Sequence, residues 1–232
     1  MHFASKFDSS ILFDTGSGNK KRLLDISSLA KDLGEVKCSA LLSLHALTGC
    51  DTTSALKGIG KQKPIKILEK NREFNVVLAK LGETWSMDQS DCLSLEHFMC
   101  CVYGFPRFTR IDKLRLHLFR RKFDNNDKIN PGKTIDFGNM PPCFSSLYQH
   151  ILRANFQTVI WKSAIQNFPE LEDALLHGWE TEDNILQPVW TDKDVLPKAL
   201  IDILEVQNDS GLEFDDVIEE EKSEDSDPEF IL

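Results

Sequence analysis

Apolar residues recur at three- and four-residue spacing along most of the chain, and near its start they give way to two short apolar runs around a glycine-rich cluster. After Pro142, residues Phe144, Leu147, Ile151, Ala154, Thr158, Trp161 and Ile165 fall on one side of a helix, which predicts a long core-facing element. His150, Arg153, Gln157 and Trp161 also keep helical spacing there, and they read as polar packing rather than catalytic groups. VKCSALLSLHALTG predicts an apolar helix stopped at Gly49. NREFNVVLAKLG and SLEHFMCCVYG predict helices closed at Gly82 and Gly104, and KALIDILEV predicts a last short one. SSLAKDLGEV reads as a short helix capped by a serine and closed near Gly34, and FTRIDKLRLHLFRRKF as a helix opened by Thr109 and Asp112 at capping-box spacing. At the start, SSILFD and RLLDI flank the glycine-rich GSGNKK and predict a β-hairpin.

Between these elements lie three stretches of different character. In TTSALKGIGKQKPIKILEK, Gly58 and Gly60 separate two short helical runs, and Pro64 sits in the first turn of the second, where a missing N–H costs little. That is a helix-hairpin-helix pattern. DNNDKINPGKTIDFGNMPP reads as a loop from its Asn, Gly and Pro content, and HGWETEDNILQPVWTDKDVLP, with Trp179 and Trp190, as a packed loop over the helical body. The fold class expected is mainly α with a short N-terminal β-hairpin.

Composition adds limits. With 232 residues, 41% hydrophobic and 28% charged, the chain can bury one substantial core. No run of eighteen uncharged apolar residues occurs, and Lys6 and Asp8 interrupt the start, so neither a membrane span nor a secretory segment is expected. The six scattered cysteines suit free thiols in a reducing compartment, hence an intracellular protein, nuclear in preference to cytoplasmic. The net charge of −10 is concentrated: from Glu205 onward there are twelve acidic residues and one lysine, so the preceding body is close to neutral. A polyanionic partner is therefore compatible with the body, while the acidic end is expected to be disordered and to offer a surface for a protein partner.

The chemistry centres on TGCDTTSALKGIGK. Glycines at 58 and 60 let backbone approach a phosphate around Ile59, and the N–H groups opening the next helix form an anion site without base reading. Lys57, Lys61, Lys63 and Lys66 crowd that end. Arg115, Arg120 and Arg121, on a later basic stretch, extend the candidate surface, with Leu114, Leu118 and Phe119 as that helix's buried side. Asp14-Thr15-Gly16-Ser17 matches the short signature of an aspartic protease, but the chain has no second such loop and turns helical at once. Cys92, His97, Cys100 and Cys101 lack the second ligand pair of a structural zinc site and read as buried thiols on an apolar helix.

The run Gly49-Cys50-Asp51, six residues, then Gly58-Ile59-Gly60 and a helix resembles the helix-two-turn-helix segment of the flap-endonuclease-like 5′-nucleases. LLSLHALTGCDTTSALKGIGK, HFMCCVYG, MPPCFSSLYQHILRANFQTVIW, HGW and PVW are similar to motifs of the transposon-derived PIN-like proteins, over roughly residues 10–204. The resemblance implies a partial PIN-like domain over 1–105, a helical extension over 106–204 and the acidic tail over 205–232. It implies that Asp51 descends from a carboxylate cluster that holds two divalent ions, so Mg²⁺ is expected only if the other acids are supplied. Asp8, Asp14, Asp25, Asp32 and Glu35 do not match that cluster, and one carboxylate cannot hold two such hard cations. Pro64 also replaces a small residue of the nuclease hairpin. The function expected is a catalytically incomplete nuclease-like protein, with no catalytic residue assigned, that holds DNA backbone without sequence preference. The alternatives are a protein-interaction scaffold and an active nuclease whose upstream exons are missing from the gene model.

Overall fold

A computed structural model describes residues 2–6, 10–123 and 140–192. In order, the elements are β1 (Leu12–Thr15), β2 (Arg22–Asp25), α1 (Ile26–Leu33), α2 (Glu35–Leu47), α3 (Gln62–Lys70), α4 (Arg72–Lys80), α5 (Gln89–Val102), α6 (Ile111–Phe123), α7 (Phe144–Ser163), β3 (Trp179–Glu182) and β4 (Ile185–Pro188). The protein is thus mainly helical with a short N-terminal antiparallel hairpin, as the helical periodicities and the glycine-rich turn predict. The expected loop over 124–139, the helix over 198–206 and the tail lie outside the described residues. None of the described helices is long and apolar enough to cross a membrane.

One core draws on α2 through α7. Leu44 and Leu47, Leu78 and Leu81, Leu95, Phe98, Met99 and Val102, Ile111 and Leu114, and Leu147, Ile151 and Ala154 pack together. Residues on both sides of position 105 therefore share the same interior. Each fully buried leucine contributes on the order of 2 kcal/mol of apolar transfer. Cys92 and Cys100 are buried among these side chains on α5, and all six cysteines are free thiols. Burial pushes the Cys100 thiol up to about 12, with the Glu96 and Cys101 charges adding to the shift. His97 turns away, bonding the Pro106 carbonyl at 3.0 Å and meeting Phe74 edge-on.

Helix α7 closes this core and also ties down the ends of other elements. Lys162 Nζ donates to the Ala79 and Leu81 carbonyls at 2.7 and 2.5 Å, capping α4, and burial holds its ammonium down at about 8. The Asn155 side chain accepts from Gly82 N–H at 2.7 Å and donates to the Thr84 and Trp85 carbonyls. Gly82 is required there: at φ +75, an added Cβ would stand 2.6 Å from the Thr158 methyl and 2.7 Å from its carbonyl carbon.

Five local expectations are corrected. Helix α1 is capped by Asp25 rather than a serine, its carboxylate accepting from Ser28 N–H at 2.9 Å and from the Ser28 hydroxyl at 2.8 Å. The Thr109–Asp112 capping box is not formed, because tertiary partners take over. Glu96, fully buried on α5, accepts the Ile111 N–H at 2.7 Å, and Asp112 accepts the Phe144 N–H that opens α7. The first helical run around TTSALK is absent, and residues 48–61 form an irregular loop. Ile165 lies beyond the end of α7 and is exposed. The stretch 179–188, expected as a packed loop, is a hairpin whose turn residues Asp183 and Asn184 have φ of 49° and 61°, the left-handed pair that a two-residue turn demands.

Candidate nucleic-acid interface at the glycine corner

The loop 48–61 leaves the C-terminal end of α2, where carbonyls lack helical partners. Its own side chains supply them. Thr48 Oγ1 donates to Leu44 O at 2.7 Å and Thr53 Oγ1 to Ala46 O at 2.6 Å, while Cys50 N–H bonds to Thr53 O at 3.2 Å. Gly49, at φ +106, lets the loop fold back so tightly that an added Cβ would lie 2.5 Å from Ala55 Cα.

The polar stripe of α7 then clamps the end of α2 and the start of this loop. His150 donates from Nε2 to Leu47 O at 2.7 Å, the Thr52 hydroxyl donates to Gln157 Oε1 at 2.6 Å, and Trp161 stacks on His45 with ring centroids 5.6 Å apart. Burial holds the His150 imidazole below its ordinary value, against the hydrogen bond to Leu47 and with the Arg153 charge adding to the shift. Arg153 faces elsewhere, donating to Gly178 O and Val189 O at the base of the β3–β4 hairpin. All four residues are packed in the structure: His150 and Trp161 hold the end of α2, Gln157 holds the loop that carries Asp51, and Arg153 holds the β3–β4 hairpin.

The other half of the loop is open. Ile59 is partly buried against the core and Leu56 with it, which anchors the corner from below. Above them Gly58, at φ +72, and Gly60 are exposed, and no atom stands within 4 Å of where either Cβ would be. Helix α3 starts directly after, with no side chain capping its N-terminus. Pro64, buried in its first turn, offers no N–H, so the Gln62 and Lys63 amides lead the helix. Lys57, Lys63 and Lys66 are exposed around this end, and the Lys63 ammonium reaches toward Gly104 after α5.

Lys61 behaves differently from its neighbours. Its Nζ donates to Gly49 O at 2.7 Å, Thr48 Oγ1 at 3.1 Å and His45 O at 3.4 Å, closing the loop across its neck. Burial lowers its ammonium below the ordinary lysine value, and the nearby Cys50 works against that shift. Burial pushes the Cys50 thiol up, but bonds with the Thr52 and Thr53 hydroxyls outweigh it and leave the thiol below its ordinary value.

Asp51 is exposed on the clamped half; burial and the Lys61 charge hold the His45 imidazole below its ordinary value, and the Asp51 carboxylate works against that shift. Among the described residues, no group of three His, Cys, Asp or Glu side chains converges as a metal site. A single carboxylate does not fit a divalent ion that needs several oxygen ligands. On α6, Arg115 donates to the Pro141 carbonyl, and Arg120 and Arg121 are exposed toward the helix's C-terminal end. Comparisons with family models, with curated proteins and with solved structures find no match to this chain.

Proposed function

We propose that the chain is a transposon-derived relative of the PIN-like, flap-endonuclease-like 5′-nucleases, corresponding to the C-terminal part of that domain. It holds nucleic-acid backbone at the Gly58–Gly60 corner, and among the described residues no acids gather with Asp51 to cut it. One observation carries this reading: the corner exposes bare glycine backbone beside the uncapped start of α3, ringed by Lys57, Lys63 and Lys66. Such an arrangement takes a phosphate by amide donation and charge, with no contact to base edges.

The test is fluorescence anisotropy of a labelled DNA duplex across a salt series. Affinity should fall as salt rises, with a log–log slope near −0.9 for each phosphate neutralised. The double variant Lys63→Glu/Lys66→Glu should flatten that slope by about two units and weaken binding roughly tenfold or more at low salt. Lys61 is left alone because its ammonium closes the loop. Binding that ignores both salt and the substitutions would overturn the proposal, and magnesium-dependent cleavage by the purified chain would overturn its non-catalytic half.

A second reading, a protein-interaction scaffold, draws on the segment after α7, where Phe168 is 93% exposed and Leu171, Leu175 and Leu176 are exposed nearby. Partner capture that Phe168→Ser abolishes, with DNA binding unchanged, would support it; capture indifferent to that change would count against it.

A further inference from the structure

The strands of the N-terminal hairpin contribute no side chain to the core that α2 through α7 share. A two-stranded ribbon is marginal in water without a third strand or a covering layer. Yet every residue of β2 and all but the last of β1 are exposed. The exposed side chains are largely apolar: Leu12 and Leu23 on one face, at 52% and 64%, and Ile11, Phe13 and Leu24 on the other.

The backbone pattern shows which groups are open to pairing. Ile26 N–H donates to Ile11 O at 2.9 Å, and the register pairs Leu12 with Asp25, Phe13 with Leu24, Asp14 with Leu23 and Thr15 with Arg22. Antiparallel pairs alternate between hydrogen-bonded and non-bonded. Phe13–Leu24 and Thr15–Arg22 are therefore the bonded pairs, and Leu23 aims its N–H and C=O groups away from β1, as Asp25 does its N–H while its C=O opens α1. An edge of this kind is a template for another strand.

The side chains say which strand. Two copies related by a twofold axis pair antiparallel, and each residue meets one from the same face of the sheet. Centred on Leu23, β2 places Leu23 opposite Leu23 of the second copy, Arg22 opposite Leu24, and Lys21 opposite Asp25. The bonding groups of Leu23 then meet their counterparts, two apolar side chains cover each other, and two opposite-charge pairs flank them. Centring on Leu24 would instead set Leu23 against Asp25. On the β1 edge, centring on Leu12 would set Asp14 against Ser10, with no charge match. Neither charged partner is committed elsewhere in a way that forbids the contact. Lys21 has only a loose, exposed pair with Asp14 at 3.8 Å, and the Asp25 carboxylate is already oriented by Ser28.

We infer that the β2 edge is a self-association surface: a second copy of this chain adds its own β2 antiparallel across Leu23, making a four-stranded sheet ordered β1-β2-β2-β1. The interface is small, so the dimer is weak and reversible.

Sedimentation velocity on the full chain tests this. A monomer–dimer equilibrium is expected, with a dissociation constant on the order of 10–100 µM. Leu23→Lys, on an exposed site that leaves the far-ultraviolet circular dichroism unchanged, should abolish the dimer. Lys21→Glu should weaken it roughly tenfold at low salt by facing Asp25 with a like charge, and that effect should shrink at high salt. Leu12→Lys, on the other edge, should leave the constant within about twofold of wild type. Sedimentation as a monomer up to several times that concentration range, or a dimer that survives Leu23→Lys, would overturn the inference.

Discussion

The two halves of the loop 48–61 differ as a joint differs from a handle. In the first, Gly49 is packed against Ala55, threonines bond the end of α2, and α7 holds the end of α2 through His150 and the turn through Gln157. In the second, Gly58 and Gly60 meet nothing, although Leu56 and Ile59 fix the backbone that carries them. Glycine serves opposite ends in the two places: at 49 it lets the protein touch itself, and at 58 and 60 it keeps a surface clear for something else. A rigid joint beneath an open corner is what a binding surface needs if no ordering cost is to fall on the ligand.

The largest expected effect breaks that contrast directly. Gly49→Ala adds left-handed strain to a clash with the Ala55 backbone and should cost about 3–4 kcal/mol, whereas Gly58→Ala meets only strain and should cost about 1 kcal/mol. Urea denaturation midpoints for the two variants decide it, and equal losses would erase the distinction between the halves.

Next in size is the clamp. His150→Ala should cost on the order of 2 kcal/mol, because it opens a gap and strands the Leu47 carbonyl. The same residue sets an acid dependence. Its folded value lies below the ordinary one near 6.5, so below that pH the unfolded chain takes up a proton that the folded chain refuses. Stability at this site is fully present above the ordinary value and is lost as the pH falls beneath it. His2, held down at about 4 chiefly by burial, contributes with the same sign. The slope due to His150 is therefore the difference between wild type and His150→Gln between pH 7 and 5, and the variant's stability curve should be the flatter.

The smallest change sharpens the comparison instead. Gly60 has no positive φ and no neighbour within 4 Å, so Gly60→Ala should leave thermal stability within about 0.5 kcal/mol of wild type. If a phosphate sits there, the added methyl should still lower duplex affinity severalfold in the anisotropy assay. Unchanged affinity would show that this glycine is not part of the grip.

Much of this arrangement is legible in the residues, for identifiable reasons. Helix α7 announces itself because one face meets the core along its length, and its polar stripe at 150, 153, 157 and 161 stands out against that face. The hairpin β3–β4 escapes the periodicity because both strands are mostly exposed, leaving little apolar–polar contrast to read. Its signal is instead local: Asp183-Asn184 is a pair that tolerates positive φ. The helix expected around TTSALK fails because Thr48 and Thr53 bond backbone carbonyls of α2, and Thr side chains of this kind compete with helical bonding. The inward turn of Lys61 depends on where the end of α2 lies in space, which residue spacing around position 61 does not encode. Glu96 is a similar case, a buried acid whose purpose appears only once the first amide of α6 is placed against it.

The position of α7 in the chain also bears on how the protein is made. Leu47 and His150, Thr52 and Gln157, and Gly82 and Asn155 are partners drawn from distant parts of the sequence. Closing loops of that length delays folding. During synthesis, the apolar faces of α2, α4 and α5 leave the ribosome well before the helix that covers them, and each new chain waits in that state with leucines and phenylalanines uncovered. Chaperone demand should therefore peak as residues 105–160 emerge and fall once α7 has docked.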